Sequence, residues 1–182
     1  IQHNIDILLI SETHFTSRSY IKIPQYSIYN TNHPDDKAHG GTAIIIKSNI
    51  NHHIMEPFCE HFLQATNISV QFLHKFITIS SIYCPPRHTI LKSQFESFFN
   101  ALGNTFIVGG DFNSKHTYWG SRLINPRGRE LYSTVASLSL LPISTGEPTY
   151  WPSDLQRIPD LLDFYITRGF PRNSLKSSTC LD

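Results

Sequence analysis

Thr105-Phe106-Ile107-Val108-Gly109-Gly110-Asp111-Phe112-Asn113 is the stretch whose reading decides the fold. The apolar run Thr105 to Val108 predicts a buried strand, ended by the two glycines. An acid and an amide follow one residue apart, and Lys115, His116 and Trp119 come soon after. A strand that stops at a Gly-Gly turn can hold polar side chains rigidly at a sheet edge. Such an edge suits the positioning of a metal, a water or a phosphate. The same residues also suit a plain loop in which Asp111 and Asn113 make an Asx-turn. The stretch alone does not separate the two readings, so its neighbours must.

On the N-terminal side, Phe76 to Tyr83 reads as a strand, stopped by Cys84-Pro85-Pro86 because prolines offer no N–H to a ladder. Tyr83 is thus the last strand residue, again at a sheet edge. Phe62 to Phe72 alternates (Ile68, Val70, Phe72) and reads as the neighbouring, half-buried strand. Between Tyr83 and the central stretch, Leu91, Phe95, Phe98, Phe99 and Leu102 fall at helical spacing and predict one buried helix face. Further out, Ile5 to Ile10 predicts a buried strand with Glu12 at its carboxyl end, where ligands of layered sheets are usually met. A solvent-facing loop is the commoner fate of a glutamate. Residues 16–36 read as an irregular connection. Gly40-Gly41 reads as a tight turn before the strand Thr42 to Ile46, with no phosphate-loop pattern after it.

On the C-terminal side, Asn125-Pro126 has the signature of an N-cap and first helical residue, and Leu131, Val135 and Leu138 supply the buried face. Leu140 to Thr145 and Pro148 to Trp151 read as short strands or extended loop. Leu161 to Ile166 reads as a strand with Asp163 inside an apolar run. A carboxylate there must find a donor, a metal or a histidine, or face water. Asp160 reads as a loop or cap residue. Strands and helices alternate irregularly, which predicts a layered α/β domain.

The 182 residues fit one domain with a sizeable core, and 40% hydrophobic content fits a globular chain. A net charge of +1 does not announce a nucleic-acid binder, nor exclude a local basic groove. Cys59, Cys84 and Cys180 lie far apart, which argues against a disulfide framework and for a reducing compartment. No apolar run has the length of a membrane span, and no signal peptide opens the sequence. The chain starts at Ile1 without Met and stops at Leu181-Asp182, and the expectation is a fragment of something longer.

Glu12, Tyr83, Asp111, Asn113, His116 and Asp163 all fall at or beside predicted strand ends. Phosphodiester hydrolysis needs this mixture. One carboxylate holds Mg²⁺ through oxygen, another activates water, and neutral donors such as Asn and Tyr hold phosphate oxygens.

Ile10-Ser11-Glu12-Thr13, Ile82-Tyr83-Cys84-Pro85-Pro86, Gly110-Asp111-Phe112-Asn113 and Leu162-Asp163-Phe164 resemble, in order, motifs of the endonuclease/exonuclease/phosphatase superfamily. Gly110 to His116 with Trp119-Gly120, Asn125 to Arg129, Pro148 to Ser153 and Pro159 to Asp163 narrow the resemblance. They are similar to the apurinic-like endonuclease domain of jockey-type non-LTR retrotransposons.

The resemblance implies a four-layer α/β sandwich of the DNase I-like type, spanning residues 1–182 as one domain. It implies Glu12 as the metal ligand, for Mg²⁺ or alternatively Mn²⁺, and Tyr83 as a phosphate contact. Asp111 would position or deprotonate the attacking water, Asn113 would contact the scissile phosphate, and Asp163 would orient a catalytic histidine. Lys115, His116, Trp119 and Tyr150 are candidates for DNA contact. The implied reaction is DNA nicking that leaves a 3′-hydroxyl to prime a reverse transcriptase encoded downstream in the same polyprotein. A DNA substrate implies the nucleus.

The family's first strand, which carries an asparagine, and its final Ser-Asp-His segment have no match here, and Asp182 does not stand in for the latter. The expectation is therefore a domain truncated at both ends and lacking its first and last strands. The alternatives are a catalytically dead remnant that binds nucleic acid and, further off, a lipid or inositol phosphatase of the same superfamily.

Overall fold

The computed structural model describes residues 4–154, 156, 158–171 and 174–179; Cys180 and Asp182, weighed above, lie outside the described residues. In chain order the elements begin with β1 (Ile7–Ser11), β2 (Tyr26–Thr31), β3 (Thr42–Lys47), β4 (His52–Ile54) and β5 (Phe58–Glu60). They continue with β6 (Leu63–Phe72), β7 (Lys75–Tyr83), α1 (Lys92–Ala101) and β8 (Phe106–Asp111). A 3₁₀ turn (Thr117–Trp119), α2 (Pro126–Ser137), β9 (Leu141–Ile143) and β10 (Asp163–Arg168) complete them.

The smaller sheet has the order β1-β3-β2, and the larger runs β4-β6-β7-β8-β10-β9 with β5 also on β6. Only β7 and β8 pair in parallel among the described strands, and α1 makes the crossover that a parallel pair requires.

Side chains of a strand alternate between its faces, and here each face finds its own core. Ile44 and Ile46 of β3 meet Ile68, Val70 and Ile79 of the larger sheet, with Leu9, Tyr29 and Ile107 packed around them. This layer joins the two sheets face to face. Phe106, Val108, Phe164 and Ile166 turn the other way, onto Phe95, Phe98, Phe99, Leu131 and Val135 of the two helices. The result is the expected two-sheet α/β sandwich. Among the described residues both helices cover the larger sheet, and none covers the outer face of the smaller one.

Three local expectations change. Residues 16–36 contain a regular strand, β2, paired along its whole length with β3 (Tyr29 opposite Ile44). Leu91 is not on the buried helix face but is the N-cap residue of α1, 53% exposed. The central strand does not stop at the glycines, because β8 runs through them to Asp111. Their glycine identity answers to close approach. A Cβ on Gly109 would stand 2.4 Å from the Tyr165 ring, and one on Gly110 would stand 2.2 Å from the Ile82 carbonyl oxygen. By contrast, the α2 start is as the sequence predicts: Asn125 Oδ1 accepts the Gly128 amide at 2.7 Å, and Pro126 opens the helix.

Candidate active site

The strand register sets three polar residues in a row. Tyr83, the last residue of β7, stands opposite Asp111 of β8, which stands opposite Asp163 of β10. Residues directly opposite share a face and have Cβ atoms about 5 Å apart. Asp111 follows the parity of Ile107, so the row lies on the face turned toward the smaller sheet. The smaller sheet reaches the row through the end of β1. Ser11 Oγ donates to the Ile82 carbonyl at 2.8 Å and accepts the Asp111 amide at 3.1 Å. Glu12 follows in a left-handed conformation, φ 55°, and its carboxylate accepts the Tyr83 hydroxyl.

Two sheets thus bring three carboxylates and a phenol to one place. The electrostatics follow from that crowding. Burial, then the charges of Asp163 and Glu12, push the Asp111 carboxyl up to about 7, although the Asn113 amide works against them. Asp163 is raised too, first by the walls of its cleft and also by Glu12, against a hydrogen bond with Thr149. Burial and the bond to Glu12 raise the Tyr83 hydroxyl, so it stays a donor at neutral pH. A cleft of about 410 Å³ opens beside the row, lined by Leu9, Ser11, Gly110, Thr149 and Asp163 among others.

Asp111 and Asn113 do form the Asx-turn. The Asn113 amide donates to Asp111 Oδ1 at 2.7 Å. The Asn113 side-chain amide donates to Asp111 Oδ2 at 2.8 Å and to the Cys84 carbonyl at 3.1 Å. The plain-loop reading and the site reading are therefore both realised, since the turn is what aims Asp111. Both amide hydrogens of Asn113 are engaged, so in this state it fixes Asp111 rather than offering a free donor to phosphate.

The other sequence candidates are spread out. Lys115 pairs with Asp160 at 2.9 Å. Asp160 is 2% exposed, so the buried acid of this segment is Asp160, not Asp163, and it is more than a loop residue. Burial works to raise its pKa, but Lys115 and the amides of Arg122 and Leu161 outweigh that and hold it low. His116 caps the 3₁₀ turn by accepting the Tyr118 amide at 3.1 Å, and its ring stacks on Tyr132. Trp119 is 3% exposed, bonded to the Ser114 carbonyl and stacked on Phe164, so its ring is core and not a surface for DNA. Tyr150 is exposed, as is Trp151 beside it.

Sequence reasoning missed two supports. Ser11 ties β1 to β7 and β8, as above. Arg127, buried in α2, donates to the carbonyls of Cys84 (3.1 Å), Phe112 (3.4 Å), Pro85 (2.6 Å) and His88. It thereby clamps the two loops that carry on from Tyr83 and Asp111. The sequence signal was its place at the first turn of a capped helix, which says nothing about carbonyls distant in the chain. Arg127→Met is expected to destabilise the fold by about 2–4 kcal/mol, because buried carbonyls lose charged donors. A thermal melt should show a fall of roughly 5–15 °C. Arg127→Lys should recover little, since lysine lacks the planar fork.

Known proteins resemble this chain in sequence and in fold. Residues 77–170 match the model of a family described as endonuclease-reverse transcriptase. The chain is 36% identical over 177 residues to the RNA-directed DNA polymerase from mobile element jockey of Drosophila melanogaster, covering 97% of this chain. It is 35% identical to the jockey protein of Drosophila funebris and 32% identical to the probable RNA-directed DNA polymerase from transposon X-element of Drosophila melanogaster. The chain spans 19% of the length of each of these curated relatives.

Among solved structures, the endonuclease domain of TRAS1, a telomere-specific non-LTR retrotransposon, superposes with a TM-score of 0.73 at 19% identity. That match covers 90% of this chain and 73% of that one. The AP endonuclease LMAP from Leishmania major superposes with a TM-score of 0.67 at 12% identity, covering 90% of this chain and 69% of that one. The likeness to these structures establishes the DNase I-like sandwich. With its family match, its relatives and its row of acids on that sandwich, the chain belongs to the endonuclease-reverse transcriptase family.

Proposed function

We propose that this chain is the DNA-nicking domain of a non-LTR retrotransposon protein, a divalent-metal-dependent phosphodiesterase. The product is a 3′-hydroxyl from which a reverse transcriptase in the same polypeptide primes synthesis. The observation that carries this reading is the convergence of Glu12, Tyr83, Asp111 and Asp163 from two sheets into one row across the strand ends.

The donor set fits a hard cation. Burial first, then the neighbouring carboxylates, push Asp111 to about 7, and oxygen ligands are what Mg²⁺ selects. Glu12 would hold the ion, with Asp163 beside it. When bound, Mg²⁺ supplies positive charge that offsets the charge gathering on the phosphate. Asp111, aimed by Asn113, takes the proton of the attacking water, and a base with a pKa near the working pH is efficient at this. The water oxygen bonds to phosphorus, the P–O3′ bond breaks, and the departing oxygen takes a proton from solvent. The Tyr83 hydroxyl, a donor already aimed into the row, turns from Glu12 toward a phosphate oxygen.

Exposed Tyr150 and Trp151 offer aromatic faces for DNA near the Asp163 end of the row. Action on chromosomal DNA places the work in the nucleus. No helix of the described residues is long and apolar enough to cross a membrane.

Supercoiled-plasmid nicking with Mg²⁺ and with EDTA tests the proposal. Open-circle product with Mg²⁺, absent with EDTA, is the expected result. No product from this chain, nor from the polypeptide extended to the length of its relatives, would instead mark an inactive remnant.

A further inference from the structure

Five of the ten histidines, His14, His33, His39, His61 and His88, line one cavity of about 500 Å³ that reaches Glu12 and Tyr83 on its other side. At its rim, outside the lining itself, two of these histidines share an acid: His33 Nδ1 and His39 Nε2 converge on a single oxygen, Asp35 Oδ1, at 2.7 and 3.0 Å. The two imidazole rings sit edge to face with centroids 4.1 Å apart. One ligand atom from each of the three residues lies within 4.8 Å of the others.

We propose that His33, Asp35 and His39 form a binding site for a divalent transition-metal ion of the zinc class, separate from the carboxylate row. Two imidazoles and one carboxylate are a donor set that suits zinc rather than magnesium. Ligand atoms around tetrahedral zinc stand about 3.3 Å apart, given bonds of about 2.0–2.1 Å. The observed 2.7 and 3.0 Å separations therefore need to open by only a few tenths of an ångström. A solvent molecule completes the set, and the His61 ring stands 5.3 Å from that of His33.

The loop is built to hold this shape without an ion. The Asp36 amide donates to the His33 carbonyl at 2.9 Å, and the His39 amide donates to the Lys37 carbonyl at 2.7 Å. The Lys37 amide donates to Asp35 Oδ1 at 3.0 Å. That bond first, with the two histidines behind it, holds the Asp35 carboxyl down to about 2, so it is ionised at any working pH. His33 is tucked in, its side chain 10% exposed. The opposing charge is Lys37, whose ammonium lies 3.9 Å from Asp35 Oδ2 and is 77% exposed, free to swing into water.

The consequence reaches the row of acids. The carbonyls of Gly40 and Gly41, which follow His39, accept the amides of His14 and Thr13 at 2.9 and 3.3 Å. An ion on His33, Asp35 and His39 would therefore stiffen the segment that carries Glu12.

The test is calorimetric titration of the metal-free chain with Zn²⁺, repeated on His39→Asn, His33→Ala and Asp111→Asn, with Co²⁺ absorption as a second readout. Wild type and Asp111→Asn should both bind one equivalent with the same affinity and show tetrahedral Co²⁺ bands. His39→Asn should bind at least tenfold more weakly. Zn²⁺ at 100 times its Kd should raise the Tm of wild type by roughly 5 °C. His39 carries a side chain 51% exposed, so its variant is expected to fold and settles the matter even if His33→Ala does not. Equal affinity in His39→Asn, absence of binding, or loss of the ion in Asp111→Asn alone would each overturn the proposal. None of these readouts depends on nuclease activity.

Discussion

Asp111→Asn should lower plasmid nicking by about 10³-fold or more and, in the metal-free protein at pH 8, raise the melting temperature. The loss of rate follows from removing the proposed general base, a role typically worth about 10²–10⁴-fold. The gain in stability follows from linkage. In the fold the Asp111 carboxyl titrates near 7, pushed up first by burial and then by Asp163. An unfolded aspartate titrates near 3.9. Between those values the folded chain keeps a proton that the unfolded chain has released. Stability from this group is thus complete below about pH 4, falls as pH climbs to about 7, and stays lost above.

The full gap corresponds to about 4 kcal/mol as an upper bound. Asparagine forfeits part of the bonding with Asn113, so a net gain of about 2 kcal/mol is expected, or roughly 4–8 °C. Melting curves of both proteins in EDTA, from pH 4 to 8, measure it. A variant that melts lower than wild type at pH 8 would show that burial and the neighbouring acids do not raise Asp111 as described.

Glu12→Gln should cut nicking by about 10²–10³-fold, with partial recovery at high Mg²⁺ or Mn²⁺. Glutamine keeps the size of the side chain and an oxygen to accept the Tyr83 hydroxyl, so the hydrogen bond between the sheets survives. What is lost is the charge that the proposed cation would meet. Tyr83→Phe provides the contrast, since it removes that bond while leaving every carboxylate in place. Rates measured across a Mg²⁺ series separate the two. Glu12→Gln should shift the metal dependence, whereas Tyr83→Phe should lower the plateau. A Glu12→Gln enzyme within threefold of wild type at all Mg²⁺ concentrations would sink its assignment as a metal ligand.

Periodicity made most of the sandwich legible. β3, β6, β7 and the faces of α1 and α2 follow from apolar spacing and capping, because each buries a face whose pattern is local. β2 was not legible. Tyr26, Asn30 and Thr31 dilute its apolar signal, and its pairing with β3 is a tertiary choice. The extension of β8 through Gly109 and Gly110 was misread for the opposite reason. Glycine signals a turn locally, but here it answers to the Tyr165 ring and the Ile82 carbonyl, which come from other strands.

At the site, the acids and Tyr83 could be listed from the sequence, whereas their alignment in one row needed the register. Asp160 and Asp163 changed roles because burial is decided by what packs nearby, and Lys115 came to Asp160. Trp119 looked available beside a polar loop, yet Phe164 and Ser114 had already claimed it.

Arg127 grips only main-chain oxygens, and every residue type carries the same one. The path of residues 84–88 is therefore secured without reference to which side chains decorate it. Mutational drift can rewrite Pro86, Arg87 and His88, which line the histidine cavity, while the loop keeps its course. The outer surface of this loop can therefore be exchanged residue by residue while the framework beneath it stands unchanged.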